Sequence, residues 1–325
     1  MLKSTLFPHI APDSLRGRKG FPYHASPGLL AALQVGLQLE RPLLLTGEPG
    51  SGKTDFSWAI ARALQEQYGY EKALGSPLQC YVRSDTNATQ LLYSYDALAR
   101  FSDAHHGGAS GSSRAQDAHN YITLEGLGSA LVSEFRRVVL IDEIDKAPRD
   151  LPNDLLRELD QLSFDIRELP PDRVGTLRRT MSRPLGKDGS PVPAPLIIIT
   201  SNAERQLPEP FLRRCVFWHI TFPLNEIEKI LLEHEPELRG VSKSIVSIVR
   251  FMREIPEIRK KPSTSELLDW ASALIGVYDF GSMERQIRRF GSLAEQRVRD
   301  TAWGELPALP CLLKTSPDFF ALCGG

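Results

Sequence analysis

The sequence is poor in cysteine and has none in close pairs: Cys80, Cys215, Cys311 and Cys323 stand far apart, with no C-x-x-C. That spacing argues against a zinc ribbon or a secreted disulfide framework and predicts free thiols in a reducing compartment. Long apolar runs are also missing. Those present are short and broken by charge or proline, so no segment is expected to span a bilayer. The N-terminal stretch MLKSTLFPHIAPDS has one Lys but no apolar core of the length a secretory signal needs, and the expected location is the cytoplasm. Neither sign of charge dominates: 39 Lys and Arg face 40 Asp and Glu, for a net charge of −1. A dedicated nucleic-acid coat or a polybasic membrane binder is therefore disfavoured, though a local basic patch is compatible with this balance. No internal repeat is found. What is present is ordinary globular composition, 42% hydrophobic and 24% charged, which excludes wholesale disorder. At 325 residues the chain is long enough for about two domains and a core that needs no staples.

Residues 1–25, rich in Pro, Gly and basic side chains, read as an irregular lead-in. Ser26 and Pro27 are suited to cap and start a helix running to Leu39, which Arg41-Pro42 ends. Leu43-Leu44-Leu45 reads as a buried strand, 47–52 as a loop, and 54–67 as a helix with apolar positions Phe56, Ile60, Ala63 and Leu64. Cys80–Val82, Val138–Ile141, Leu196–Thr200 and Val216–Thr221 read as four more strands. Between them, a helix is expected over 89–101, a flexible loop over 105–113, a helix over 151–162, a small hairpin around Phe164, Ile166 and Leu169, and a Pro/Gly loop over 184–195. After Phe222-Pro223 only helical spacing remains, at 225–235, 242–254, 264–277 and 283–299. The expectation is an α/β domain over 1–223 followed by an all-helical domain with a C-terminal tail over 224–325.

Gly47-Glu48-Pro49-Gly50-Ser51-Gly52-Lys53-Thr54 fits G-x-x-x-x-G-K-[ST], with a strand before it and a helix after it. Glycines let such a loop wrap so closely that its backbone N–H groups point at phosphate oxygens, helped by the helix N-terminus behind them. Lys53 is placed to reach the β- and γ-phosphates, and the Thr54 hydroxyl to coordinate Mg²⁺. Val138-Val139-Leu140-Ile141 runs into Asp142-Glu143, two carboxylates at the end of an apolar strand. The first suits the hydration shell of Mg²⁺; the second suits the orientation and deprotonation of an attacking water. A solvated surface turn is the bland alternative for an isolated pair of this kind. Asn202 closes another apolar strand, where its amide either meets the γ-phosphate or the lytic water, or makes an ordinary Asx-turn. Arg213 and Arg214 end a short helix, where they either cap it or stabilise phosphoryl-transfer charge in a neighbouring subunit.

GEPGSGKT, VVLIDEIDKAP and IIITSNAERQLPEPFLRRC, followed by a helical region, together resemble an AAA+ ATPase of the MoxR type, in the helix-2-insert clade. The stretch DEIDKAPRDLPNDLLRELDQLSFDIREL and the wording TSNAERQLP separate the chain from generic phosphate-loop proteins, and the resemblance covers roughly residues 25–300. It implies a five-stranded parallel sheet with a helical lid, ATP and Mg²⁺ as ligands, and hydrolysis between the protomers of a six-membered ring. It implies Lys53 and Thr54 as Walker A, Asp142 and Glu143 as Walker B, Asn202 as sensor 1, and Arg214, with Arg213 second, as the arginine finger. It also implies a chaperone or remodelling role on a protein client, beside a partner with a von Willebrand factor A domain.

One departure concerns the lid. The family usually presents an arginine at the start of a lid helix, whereas Arg259-Lys260-Lys261-Pro262-Ser263-Thr264-Ser265-Glu266 has none after the proline. Arg259, Lys260 and Lys261 are the candidate substitutes. Two insert-like regions, 84–124 and 164–195, match elements that in relatives engage clients; plain surface loops are the alternative. His105 and His106 lack a third ligand at fixed spacing, so no metal role is expected of them. Two rival functions stand beside the chaperone. A nucleic-acid-dependent motor of restriction-GTPase or clamp-loader kind would draw on Arg114, Arg167, Arg173, Arg178, Arg179 and Arg183. A nucleotide-gated scaffold with little turnover would draw on the missing lid arginine.

Overall fold

The computed structural model describes residues 15–69, 72–106, 113–170, 177, 179–299 and 301–323. Its strands, in chain order, are β1 (Leu43–Gly47), β2 (Leu78–Tyr81), β3 (Tyr93–Tyr95), β4 (Ile122–Leu124), β5 (Val138–Asp142), β6 (Ser163–Asp165), β7 (Thr180–Ser182), β8 (Leu196–Ser201) and β9 (Val216–Ile220). All five strands expected from apolar runs form one sheet, in the order β2-β5-β8-β1-β9. Every residue of β1 and β8 is buried, and β5 stays buried until Asp142. A strand covered on both faces has no polar face to show, which is why these runs read as continuous rather than alternating. Parallel pairing sets Leu44 beside Ile199, Ile141 beside Ile199, and Cys80 beside Ile141. It also brings the C-terminal ends of the strands to one edge, where polar residues begin.

The helix α1 (Pro27–Leu39) starts where the sequence says it should. Ser26 Oγ accepts from Leu29 N at 3.2 Å, Pro27 supplies a preset φ, and the left-handed Glu40 closes the end. Next along the chain, α2 (Lys53–Tyr68) buries Phe56, Ile60 and Leu64 along one stripe.

The expected helix over 89–101 is a correction. It is broken into α3 (Ala88–Leu92), the strand β3 and α4 (Ala97–His106). Asn87 and Gln90 form a reciprocal capping box that satisfies a short helix. Tyr93-Ser94-Tyr95 then leaves the helix to pair antiparallel with Ile122–Leu124, burying the Tyr93 ring. Asp96 caps the next helix through Ala99 N at 2.8 Å. The expected loop over 105–113 is corrected in part: His105 and His106 are the last turn of α4, Ser113 opens a helical turn, and residues 107–112 lie outside the described ones. The helix expected over 151–162 is two shorter ones, Leu151–Asp154 and Leu156–Gln161. The hairpin exists as β6–β7, with Phe164 opposite Met181.

The chain divides into two compact units. One comprises residues 25–46 and 54–219; its core runs through Ile141, Leu155, Phe164, Ile199 and Phe211. The other comprises 47–53 and 220–323 together with 15–24, and its regular elements are helical, the longer ones being Ile227–His234, Ser242–Glu254, Thr264–Val277, Phe280–Glu295 and Ser316–Cys323. Ser263 and Glu266 form a capping box for Thr264–Val277, and Asp279 caps Phe280–Glu295, which is why that helix begins ahead of the expected 283. Trp303 packs its ring 5.4 Å from that of Phe251 and 5.2 Å from that of Phe290. Trp270, fully buried, donates Nε1–H to Pro307 O at 2.7 Å, so its polar edge is satisfied inside the core. Truncating either Trp to Ala is worth about 3–5 kcal/mol of stability.

Candidate active site

The glycine loop contains backbone that only glycine tolerates. Gly47, Gly50 and Gly52 have φ of +153°, +73° and +87°. A Cβ on Gly50 would fall 2.2 Å from Ser265 Oγ, and one on Gly47 would fall 2.5 Å from Ile220 O. Both space and conformation therefore exclude a side chain. Ser51 N donates to Glu48 O at 3.2 Å to close the turn, with Pro49 between them, and Ser265 N donates to Gly50 O at 3.3 Å. Lys53 is only 6% exposed, and its ammonium donates to the carbonyls of Gly47 and Glu48 at 2.9 Å each. A buried cation curled into its own loop, at the first turn of α2, is a cradle for an anion of high charge.

Glu48 carries a contact that the sequence did not suggest. Arg253 pairs with its carboxylate at 2.9 Å, donates to Pro262 O at 2.6 Å, and lies 3.9 Å over the Phe222 ring. Arg253 sits within the helix Ser242–Glu254, where apolar spacing offers no hint of such a role. Of the three cations named for the missing lid arginine, the two lysines are engaged through their ammonium groups, and Arg259 is tied only through its backbone N–H. Arg259 N and Lys260 N donate to the Asp318 carboxylate, Lys260 Nζ lies 3.8 Å from Glu266, and Lys261 Nζ donates to Ile255 O. Burial pushes the Lys261 ammonium below its usual pKa.

At the edge of the sheet, Asp142 is held from two sides. Thr54 Oγ1 donates to its two oxygens at 3.1 and 3.2 Å, and Thr200 Oγ1 donates to Oδ1 at 2.5 Å. Thr200 also accepts Glu143 N at 2.9 Å, so a single hydroxyl aligns both carboxylate-bearing residues. Glu143 turns out of the strand with φ +57°, a left-handed conformation uncommon for a residue other than glycine. There its carboxylate takes a hydrogen bond from Asn202 Nδ2 at 3.3 Å and an ion pair from Lys146. The Glu143 carboxylate is the main cause of a raised Lys146 pKa. Thr200 and Lys146 were the members missed; the threonine ends a strand already recognised, but its hydroxyl's direction is a matter of register.

Arg213 and Arg214 follow the short helix Glu209–Leu212. Arg213 pairs with Glu209 one turn back, and Arg214 donates Nε–H to Asp160 Oδ2 at 2.5 Å and a second N–H to Pro210 O at 3.1 Å. Both guanidiniums reach the surface, Arg213 the more exposed at 74%.

The donor chemistry fits the ligands implied above. A hydroxyl hydrogen-bonded to a carboxylate, Thr54 to Asp142, is a hard oxygen pair of the kind Mg²⁺ prefers. Buried parallel strands ending in this pair, a glycine loop curled round a buried lysine, and the sheet order above define a phosphate-loop α/β nucleotide-binding fold. Residues 42–215, just over half of the chain, match the AAA domain (dynein-related subfamily), and the chain belongs to that family. It is accordingly an AAA+ ATPase, with ATP as its nucleotide and Mg²⁺ as the usual ion. No curated protein matches the sequence. Among solved structures it is similar to NtrX from Brucella abortus in complex with ATP: 15% identity over 77% of this chain, TM-score 0.37. The chain spans about half, 51%, of that structure. It is also similar to domain III of the replication initiation protein DnaA from Thermotoga maritima, at 13% identity over 84% of this chain and 93% of that one, TM-score 0.40. Among the described residues no helix is long and apolar enough to cross a membrane.

Proposed function

We propose that this AAA+ ATPase is a MoxR-type, ring-forming remodelling motor that works in the cytoplasm on a protein client. The observation that carries the hydrolytic part is the Asp142–Glu143 turn, held by Thr200 and met by Asn202. In this reading Gly47 to Gly52 offer backbone N–H groups to the phosphates, with Glu48, Pro49 and Ser51 shaping the turn between the glycines. Lys53 releases its two loop carbonyls and turns to the β- and γ-phosphoryl oxygens. Thr54 and Asp142 hold Mg²⁺, which neutralises phosphate charge when bound. Glu143 accepts a proton from the attacking water, and Asn202 holds the carboxylate in the orientation that water requires. Arg214, with Arg213 as the substitute, acts on the γ-phosphoryl group of the neighbouring protomer once it leaves Asp160. Arg253, gripping Glu48, is the cation we assign to the place of the absent lid arginine.

For the moving parts we keep the boundary at Pro223, with 1–223 as the nucleotide-binding domain and 224–325 as the lid. The regions 84–124 and 164–195, whose β3–β4 and β6–β7 pairs stand apart from the main sheet, are the proposed client contacts. The wording of DEIDKAPRDLPNDLLRELDQLSFDIREL supports the MoxR clade, and with it a hexamer and a partner bearing a von Willebrand factor A domain. The nucleic-acid motor gains less support: Arg183 is paired with Glu40, and Arg179 donates to Leu169 O. Arg173 and Arg178 lie outside the described residues. The presence of both Walker B carboxylates, Asp142 and Glu143, weighs against a scaffold with little turnover.

Steady-state ATP hydrolysis against protein concentration tests this reading. A specific activity that rises as subunits assemble, is indifferent to DNA and RNA, and responds to a von Willebrand factor A partner supports it. Strong, salt-sensitive stimulation by nucleic acid would replace the remodelling role with the motor.

A further inference from the structure

Asp145 has no part in the roles assigned above, yet it is 4% exposed, two residues beyond Glu143 in the single helical turn Ile144–Lys146. Its Oδ2 accepts two backbone N–H groups from the segment after β8: Asn202 N at 3.1 Å and Glu204 N at 3.0 Å. Between those donors Ala203 has φ +60°, and its own N–H goes to Ser201 Oγ at 2.9 Å. A left-handed residue between two converging N–H groups makes a small anion-binding nest, and Asp145 fills it. The segment so held is the one whose first residue, Asn202, reaches Glu143 with its side chain. Two connections therefore run between the same pair of turns. Side chain to side chain, Asn202 meets Glu143; backbone to side chain, Asn202 is tied to Asp145.

We propose that Asp145 is a positioning residue for hydrolysis: its carboxylate holds the Asn202 turn in register with the Glu143 turn. The inference rests on the proposed roles of Glu143 and Asn202. Asp145 is not itself placed to act as the base, since its Oδ2 is already spent on two amides and its Oδ1 is buried. A second feature separates this group from an ordinary loop staple. Its Oδ1 is buried with no hydrogen-bond partner among the described residues. Asparagine would accept the same two bonds more weakly and would leave its own NH2 unpartnered where Oδ1 lies. The charge strengthens both N–H contacts and so stiffens the turn at the point where Asn202 leaves the strand.

The test is a double-mutant cycle. Asp145→Ala and Asp145→Asn are made in the native enzyme and in an Asn202→Ala background, with kcat, KM for ATP and the thermal midpoint measured for all. In the native background Asp145→Ala is expected to lower kcat about 10- to 100-fold while KM stays within about twofold, with Asp145→Asn intermediate. In the Asn202→Ala background the same substitutions should change kcat less than about threefold, because the group they position is gone. Equal fold-losses in both backgrounds, or losses that follow the thermal midpoint instead of kcat, overturn the inference. If Asp145→Ala does not fold, Asp145→Asn carries the cycle with the same two outcomes. An Asn202→Ala enzyme with unaltered turnover is a distinct result: it removes the assigned role of Asn202, and this inference with it.

Discussion

Asn202 and Glu143, 59 residues apart in the chain, meet side chain to side chain with the amide nitrogen 3.3 Å from the carboxylate oxygen. The contact exists because β5 and β8 are parallel neighbours, so residues that leave their ends emerge together. It holds the Glu143 carboxylate from the β8 side, while Lys146 pairs with it from its own turn. Glu143→Gln keeps the shape and the amide contact but cannot accept a proton. ATP binding should persist and turnover should fall about 100-fold or more. Nucleotide binding by fluorescence, beside steady-state hydrolysis, checks both halves; near-normal turnover would strip Glu143 of the base role.

Arg214 is tied to Asp160 and Pro210 of its own chain. If it serves the neighbouring protomer in the ring, Arg214→Ala should bind ATP nearly normally and lose about 10³-fold or more in hydrolysis. Lys53→Ala should instead lose ATP binding with the fold intact, because the loop keeps its glycines but loses its point charge. Mixing the two inactive proteins should restore part of the activity, since one protomer still offers Arg214 and the next still offers Lys53. Assembled mixed rings that stay inactive would count against a shared site and turn attention to Arg213.

Gly50→Ala tests the loop separately. The new methyl would have to displace the hydroxyls of Ser263 and Ser265 while the backbone held φ near +73°. Destabilisation of about 1–3 kcal/mol is expected, with ATP no longer raising the thermal midpoint. A variant that melts like the native protein and is still stabilised by ATP would show that the loop can rearrange.

Burial pushes the thiols of Cys80 and Cys215 up to about 12 from 9.0. The neutral form is the one the fold shelters, so this contribution is complete below pH 9 and is lost as pH climbs towards 12. Across that window each thiol adds a fall of about 1.4 kcal/mol per pH unit. At pH 8 buried Cys80 should not react with a disulfide reagent in the folded protein, half-buried Cys215 should react more slowly than in the unfolded chain, and both should react in denaturant. Peptide mapping reads the outcome, and fast modification of Cys80 in the native protein would contradict its burial.

The sequence alone was sufficient wherever the physics is local. Continuous apolar runs announced β1, β5 and β8, because a strand buried on both faces has nothing polar to hide. Ser26-Pro27 announced α1, and the glycine spacing of 47–52 announced a loop closing on Lys53, because capping and positive φ depend on a few adjacent residues. Asp142, Glu143 and Asn202 were legible as strand-end polar groups. Everything that depended on which strand lies beside which had to wait for tertiary structure. The strand β3 hides in a helical pattern because its partner β4 lies about 30 residues on, and pairing with it outweighs local helical preference. Thr200 reads as an ordinary strand residue until register turns its hydroxyl onto Asp142. Asp145 is one acidic residue among several after β5 until the turn after β8 lays two N–H groups upon it. Arg253 looks like one polar position on an amphipathic helix until helix packing sets it against Glu48. Each of these pairs is far apart in sequence, and only the closing of the chain around its cores brings such partners within hydrogen-bond reach.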